Sequence, residues 1–181
     1  MLQQRYVLLD RDGVINQDSD AFIKSPEEWM PIPGSLEAIA LLNSHGYKVV
    51  VVSNQSGIAR GLFDVAMLEK IHTKMQALVT EYGGHISAIY YCPHGPDDAC
   101  SCRKPKPGLL QEFARDYQVK LFDMPVIGDS LRDLQAAVAV GALPILVKTG
   151  KGQDTFLKNP QFTSLVFENL YEAAKIIVAR P

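Results

Sequence analysis

The sequence predicts an α/β fold, a parallel sheet wound on both faces by helices. Three observations predict it. Continuous β-branched apolar runs alternate along the chain with segments of helical period, and strand alternating with helix makes a parallel sheet covered on both sides. The runs are bounded by Gly, Pro or polar residues, as strands buried on both faces are. No repeat, low-complexity tract or linker interrupts the pattern, so the 181 residues read as one domain, 1–181, long enough for a proper core.

"YVLLD" (6–10) is the first expected strand. After Pro33 and Gly34 a helix is expected over about 35–45, stopped by Gly46, and "YKVVVVS" (47–53) is the second strand. Asp64 is a plausible N-cap for a helix to 82, with Gly83 as its stop. "ISAIYYC" (86–92) follows, then the long irregular stretch "PHGPDDACSCRKPKPG" (93–108); loops of that length in compact domains are usually functional or disordered. A helix over 107–118 leads to the strand "MPVIGD" (124–129). Ser130 starts a helix that Gly141 stops, "LPILV" (143–147) is the fifth strand, and "NLYEAAKIIVA" (169–179) reads as a closing helix.

Ligands of open parallel sheets bind beyond the carboxyl ends of the strands. Those ends read Asp10, Ser53, Cys92 and Asp129. Asp10 and Asp12 fall on one side of an extended segment with Arg11 turned away, and Gly13 permits a sharp bend. Paired carboxylates persist when a cation holds them or when they share a proton. Magnesium takes hard oxygen ligands, so Asp10, Asp12 and Asp129 are the candidate set, with Asp133 one helical turn on as a brace. The plainer reading is a polar turn at "DRDG" and a helix cap at "GDS"; two such ends on neighbouring strands favour the site. Ser53, Asn54, Gln55 and Ser56 make a polar turn suited to an oxyanion or phosphate. Arg103, Lys104 and Lys106 add cations beside it.

A formal net charge of −2 is no polyelectrolyte signature, so nucleic acid is not an expected partner. No apolar run reaches the roughly 20 residues that span a bilayer. The N-terminal "MLQQRYVLLD" lacks the regions of a signal peptide, so a cytoplasmic protein is expected, and a monomer. All three cysteines lie in 92–102 and, with His94, space as C-x-H-x₅-C-x-C. Cys92, His94, Cys100 and Cys102 are therefore read as a closed, structural zinc site that staples an apolar-poor loop. Three buried thiols beside a surface histidine, or a catalytic cysteine, are the alternatives. His45, His72 and His85 have no comparable company and read as surface or helix-end residues.

Four segments, "LLDRDG" (8–13), "VVSN" (51–54), "RKPKPG" (103–108) and "VIGDSLRD" (126–133), resemble in order the motifs of the haloacid dehalogenase-like (HAD) phosphatases. The resemblance spans essentially the whole chain. It implies a HAD-like Rossmannoid fold in which Asp10 is the nucleophile and Asp12 the general acid/base. Ser53 and Lys104 would hold the transferring phosphoryl group, and Asp129 would help bind Mg²⁺. Residues 13–53 and 54–103 leave no room for a large cap domain, only a short flap at about 14–33. The zinc loop and "NQSGIARG" (54–61) look like the heptose-1,7-bisphosphate phosphatase branch. That implies a small phosphorylated sugar, D-glycero-D-manno-heptose 1,7-bisphosphate, cleaved at C7 for lipopolysaccharide-core or S-layer synthesis. Histidinol phosphate is the alternative substrate, and Ser56, where that relative typically has Asp, argues against it. A zinc-stapled, non-enzymatic cation-binding module is the alternative of another class. Carried over, the substrate contacts are Asp10, Arg11, Asp12, Asp18, Ser19, Asp20, Ala21, Ser53, Asn54, Gln55, Ser56, Arg103 and Lys104. The flap here reads "DSDAF" (18–22) where that branch more often has an Asp-His-Gly-Tyr-like run, and Ser53 stands for a commoner threonine.

Overall fold

Alternation along the strands decides the layering, because successive side chains point to opposite faces. In a computed structural model describing residues 4–162 and 165–180, Val7 and Leu9 of β1 (Arg5–Leu9) enter one core while Tyr6 and Leu8 enter another. β2 (Tyr47–Asn54) divides the same way, Val49 and Val51 against Val50 and Val52. A strand buried on both sides needs helices on both sides. On the first face pack α1 (Ser35–Ser44), α2 (Val65–Glu81) and α6 (Leu170–Val178), through residues such as Ile39, Met75 and Ala174. On the second pack α3 (Gly108–Tyr117) and α4 (Leu131–Ala139), through Leu110, Phe113 and Ala137. Residues 1–3 and 181, the ends of the expected domain, lie outside the described residues.

With β3 (Ile86–Cys92), β4 (Pro125–Gly128), β5 (Leu143–Val147) and β6 (Val166–Phe167), the sheet runs β3-β2-β1-β4-β5-β6, all parallel. The expected doubly wound α/β fold is what forms. Two elements were not foreseen, β6 and the short α5 (Gly152–Lys158). The chain leaves β1 towards β2 on one side, whereas β4 lies on the other. That reversal opens a crevice at the carboxyl ends of β1 and β4, where such sheets bind ligands. Leu9 faces Ile127 in register, and the Asp10 N–H donates to the Ile127 carbonyl at 2.9 Å. Asp10 and Asp129 are thus the first residues beyond two adjacent strands.

The helix signals hold. Asp64 accepts from the Met67 N–H at 2.8 Å, and Gly46, Gly83 and Gly141 take φ of 82°, 80° and 70° just past their helices. Residues 14–33 form a flap rather than a cap. Its arms are joined by Gln17 N–H to Met30 O and Ile32 N–H to Ile15 O, both 2.9 Å, and Trp29 is fully buried beneath it. From α2, Lys74 donates to the carbonyls of Pro26 and Trp29, so the flap is anchored to that helix. No helix among the described residues is long and apolar enough to cross a membrane.

Candidate active site

The crevice gathers carboxylates around one lysine. Lys104 Nζ donates to Asp10 Oδ1 at 3.0 Å, to the Val52 carbonyl at 2.7 Å and to Asp133 Oδ1 at 2.6 Å, which uses all three of its protons. Burial works against the lysine charge, but Asp10 and Asp133 outweigh it and hold its pKa above the usual lysine value. Asp10, Asp129 and Asp133 each offer an oxygen within 4.8 Å of the others. Burial pushes Asp10 up to about 7 despite Lys104. Burial, then the charges of Asp10 and Asp133, push Asp129 up to about 8. Carboxylates so destabilised in their charged form are suited to a divalent cation. Asp133 is otherwise engaged, its Oδ2 accepting from Ser130 N–H (3.0 Å) and Ser130 Oγ (2.7 Å). It braces Lys104 and the α4 start, not Asp129 as its spacing suggested. Asp129 Oδ2 accepts from the Lys151 N–H at 2.8 Å and lies between two glycines. A Cβ on Gly13 or Gly150, both at positive φ, would come within 2.0 or 2.2 Å of that oxygen.

Asp12 stands apart from that cluster. Its Oδ1 accepts from Arg11 Nε (3.1 Å), Arg11 Nη2 (2.9 Å) and Asn16 Nδ2 (2.9 Å). Its Oδ2 accepts from Arg11 Nη2 (3.2 Å) and Gln55 Nε2 (3.0 Å). Burial would raise its pKa, but the Arg11 charge and these hydrogen bonds prevail and hold it below the ordinary carboxylate value. Asp12 was expected beside Asp10 and Asp129 at the metal; in this arrangement its carboxylate is engaged by Arg11, Asn16 and Gln55, and the carboxylates that gather are those of Asp10, Asp129 and Asp133. Arg11, expected also among the substrate contacts, is fully buried and does not line the crevice. Ser53 is buried too, its Oγ accepting from Gln55 Nε2 at 2.7 Å.

Asn54, Gln55 and Ser56 line the crevice, as do Asp18, Ser19 and Asp20 from the flap and Arg103 and Lys104 from the loop; Ala21 does not. Asn54 ties the turn to the loop, its Oδ1 accepting from Lys104 N–H and its Nδ2 donating to the Lys104 carbonyl, both 3.0 Å. Five liners were not foreseen as site residues: Phe22, Ile23, Ser130, Arg132 and Lys151. Lys151 Nζ lies 3.3 Å from Asp18 and 3.6 Å from Asp20, fastening the flap to the loop after β5. The "KTGKG" run (148–152) at that strand's end was the available signal. His45 and His85 are exposed, as expected, but His72 is not. It sits buried on α2, its Nε2 3.2 Å from Arg11 Nη1.

Cys92, His94, Cys100 and Cys102 converge as their spacing predicts. The separations are 3.5 Å for Cys92 Sγ to His94 Nδ1, 3.7 Å for Cys92 to Cys100, 3.3 Å for His94 to Cys102 and 3.0 Å for Cys102 to Cys92. Tetrahedral zinc bonds imply edges of about 3.8 Å between sulfurs and about 3.6 Å from sulfur to nitrogen. Three separations lie within a few tenths of an ångström of those values, so the group fits zinc with modest adjustment at the fourth. Burial raises the Cys92 thiol and pushes Cys102 up to about 12. It acts on Cys100 too, but hydrogen bonds from the Arg103 backbone and the other thiols leave that one at about 6. Arg103 Nη1 donates to the His94 carbonyl at 3.3 Å, which couples this loop to the crevice.

Family models described as HAD-hydrolase-like and as polynucleotide kinase 3 phosphatase match residues 101–173 and 8–130. A D-glycero-beta-D-manno-heptose-1,7-bisphosphate 7-phosphatase of Pseudomonas putida is 54% identical over 96% of this chain and 99% of its own. One from Pseudomonas aeruginosa is 50% identical over 98% and 99%. Among solved structures, the D,D-heptose 1,7-bisphosphate phosphatase of Bordetella bronchiseptica, complexed with magnesium and phosphate, superposes with a TM-score of 0.93. It is 52% identical, covering 96% of this chain and 98% of that one. The enzyme of the same name from Burkholderia thailandensis gives a TM-score of 0.77 at 43% identity, over 97% and 99%. With nearly full-length likeness on both counts, the chain belongs to the HAD-like phosphatases, within their heptose-1,7-bisphosphate 7-phosphatase family.

Proposed function

We propose that this protein removes the C7 phosphate of D-glycero-β-D-manno-heptose 1,7-bisphosphate through an aspartyl-phosphate on Asp10, supplying heptose for a bacterial surface polysaccharide. The observation that carries the reading is the meeting of Asp10, Asp129 and Lys104 at the switch point of the sheet, with Asp12 two residues from Asp10. Asp10 and Asp129 would hold Mg²⁺. With its carboxylate engaged by Arg11, Asn16 and Gln55, Asp12 has its backbone carbonyl to offer the same ion. When bound, the ion supplies positive charge that lets an anionic carboxylate approach an anionic phosphate.

The residues of this chain then divide the work. An Asp10 oxygen attacks phosphorus, the bond to the C7 oxygen breaks, and the departing alkoxide takes a proton from Asp12. A water next attacks the same phosphorus and gives its proton to Asp12, and the bond to Asp10 breaks. Lys104 and the turn at Ser53 to Ser56 face the charge that spreads over the phosphoryl oxygens. Before substrate arrives, Arg11 keeps Asp12 ionised, the form needed for the second step. The phosphate dianion raises the affinity of Asp12 for the proton needed in the first.

Arg103, Lys104 and the flap residues Asp18 to Asp20 would select the sugar, with zinc holding the loop that presents the two cations. The enzyme would act as a monomer in the cytoplasm, a state that light scattering on the purified protein checks. Phosphate release from the heptose bisphosphate and from histidinol phosphate, measured side by side with and without Mg²⁺, tests the assignment. A strong Mg²⁺-dependent preference for the heptose ester is expected; comparable kcat/KM values for the two would overturn the substrate.

A further inference from the structure

We infer that His72 is a positioning residue that acts through Arg11 to present one oxygen of Asp12, Oδ2, to the leaving group. The inference rests on the proposed acid/base role of Asp12. Arg11 has no exposed surface, and Asp12 is its only carboxylate partner among the described residues. Two of its nitrogens grip that carboxylate, which fixes the carboxylate plane only if the guanidinium is itself fixed. The third nitrogen, Nη1, meets His72 Nε2 at 3.2 Å. A guanidinium can only donate, so His72 must be the neutral tautomer with Nε2 unprotonated. Its backbone is held by α2, whose Leu68, Ile71, Met75 and Val79 are buried alongside it.

The result is a rigid strut from helix to catalytic carboxylate. Asp12 Oδ1 already accepts from three donors, two on Arg11 and one on Asn16, and has no capacity left for a substrate proton. Oδ2 accepts from two, Arg11 Nη2 at 3.2 Å and Gln55 Nε2 at 3.0 Å, and exchanges a proton by giving up the longer contact. Without the acceptor on His72, the guanidinium keeps only the carboxylate itself and a long contact from Nη2 to Gln55 Oε1, 3.4 Å, and its orientation loosens together with that of the carboxylate. On this account Arg11 contacts no substrate at all, and a histidine occupies the apolar stripe of α2 where leucine would pack at less cost because Nη1 needs a partner.

The test compares kcat/KM for two esters, the sugar bisphosphate and p-nitrophenyl phosphate. kcat/KM reports the steps through leaving-group departure, and nitrophenolate departs without a proton whereas a sugar alkoxide needs one. General acid catalysis contributes about 10²–10⁴-fold when complete, so displacing the acid in His72→Leu should lower kcat/KM for the sugar ester by about tenfold or more and for the aryl ester by no more than about twofold. His72→Gln, which keeps an acceptor, should restore most of the loss. Met75→Ala, on the same buried face but with no hydrogen-bonding group to offer Arg11, should destabilise the fold without changing the ratio of the two esters. Equal losses on both esters in His72→Leu, or no loss on either, would overturn the inference while leaving the phosphatase assignment standing. A wild-type enzyme inert towards both esters would overturn that assignment, and the inference with it.

Discussion

Lys104→Met removes a charge that holds Asp10, Asp133 and the Val52 carbonyl and nearly preserves the stem volume. Lys104 is 4% exposed and pairs with Asp10 at 3.0 Å and Asp133 at 2.6 Å. Taking one partner from a buried ion pair typically costs 3–5 kcal/mol, because the remaining charge is left uncompensated. For a chain of this length that corresponds to a melting point lower by roughly 10 °C. The deficit depends on pH. With the cation gone, Asp10, which burial already pushes up to about 7, titrates higher still, against about 4 for a carboxylate in the unfolded chain. The folded variant then binds more protons than the unfolded one, so its stability falls as pH rises. Urea unfolding of the Mg²⁺-free wild type and variant at pH 5.5 and pH 8 should show the larger deficit at pH 8. A deficit below about 1 kcal/mol, equal at both pH values, would refute the reasoning that Lys104 neutralises the crevice.

Other outcomes follow from single contacts. Gly13→Ala puts a methyl carbon 2.0 Å from Asp129 Oδ2 at a φ of 83°; Mg²⁺ affinity measured by activity titration should fall at least tenfold, and an unchanged value would show the contact to be soft. Cys100→Ser, or chelation with zinc loss verified by elemental analysis, should disorder the loop and raise KM through Arg103; full activity without zinc would sever that coupling. His72 titrates at about 4 in the fold, pushed down by burial and then by the Arg11 charge, against about 6.5 when unfolded. Between those values the unfolded chain binds more protons, so stability should fall by up to about 3 kcal/mol as pH drops from 6.5 to 4. That component, isolated as the difference between wild type and His72→Gln in acid urea titrations, should vanish in the variant; identical pH slopes would contradict the buried neutral histidine.

Which parts of the fold could be read in advance has a physical reason. A strand buried on both faces, such as β1 or β2, must be apolar through its centre, Val7 to Leu9 and Val49 to Val52 here, and its runs stand out. α5 and β6, of 7 and 2 residues, carry too few residues for any period to register. The carboxylates at Asp10 and Asp129 and the zinc ligands were legible because chemistry there demands particular atoms at fixed spacing. Asp133 was placed correctly on its helix but its partner was not foreseen, since Lys104 reaches it from a loop distant in sequence. His72 was misread although the signal existed: it falls on the stripe of Leu68, Ile71, Met75 and Val79, where a solvated histidine cannot sit. Lys151 was not foreseen because it joins the site through the flap carboxylates Asp18 and Asp20, distant in sequence. The alternation along the strand correctly turned the Arg11 side chain away from the crevice.

The account stands most directly on the covalent bond to Asp10. Enzyme mixed with substrate and Mg²⁺, quenched in milliseconds and treated with borohydride, converts an acyl-phosphate aspartate to homoserine, which peptide mass spectrometry locates. Homoserine at position 10, absent from Asp10→Asn and from substrate-free controls, is the predicted result. Homoserine at position 12 or 129, or unreduced Asp10 in enzyme shown to be turning over, would contradict it.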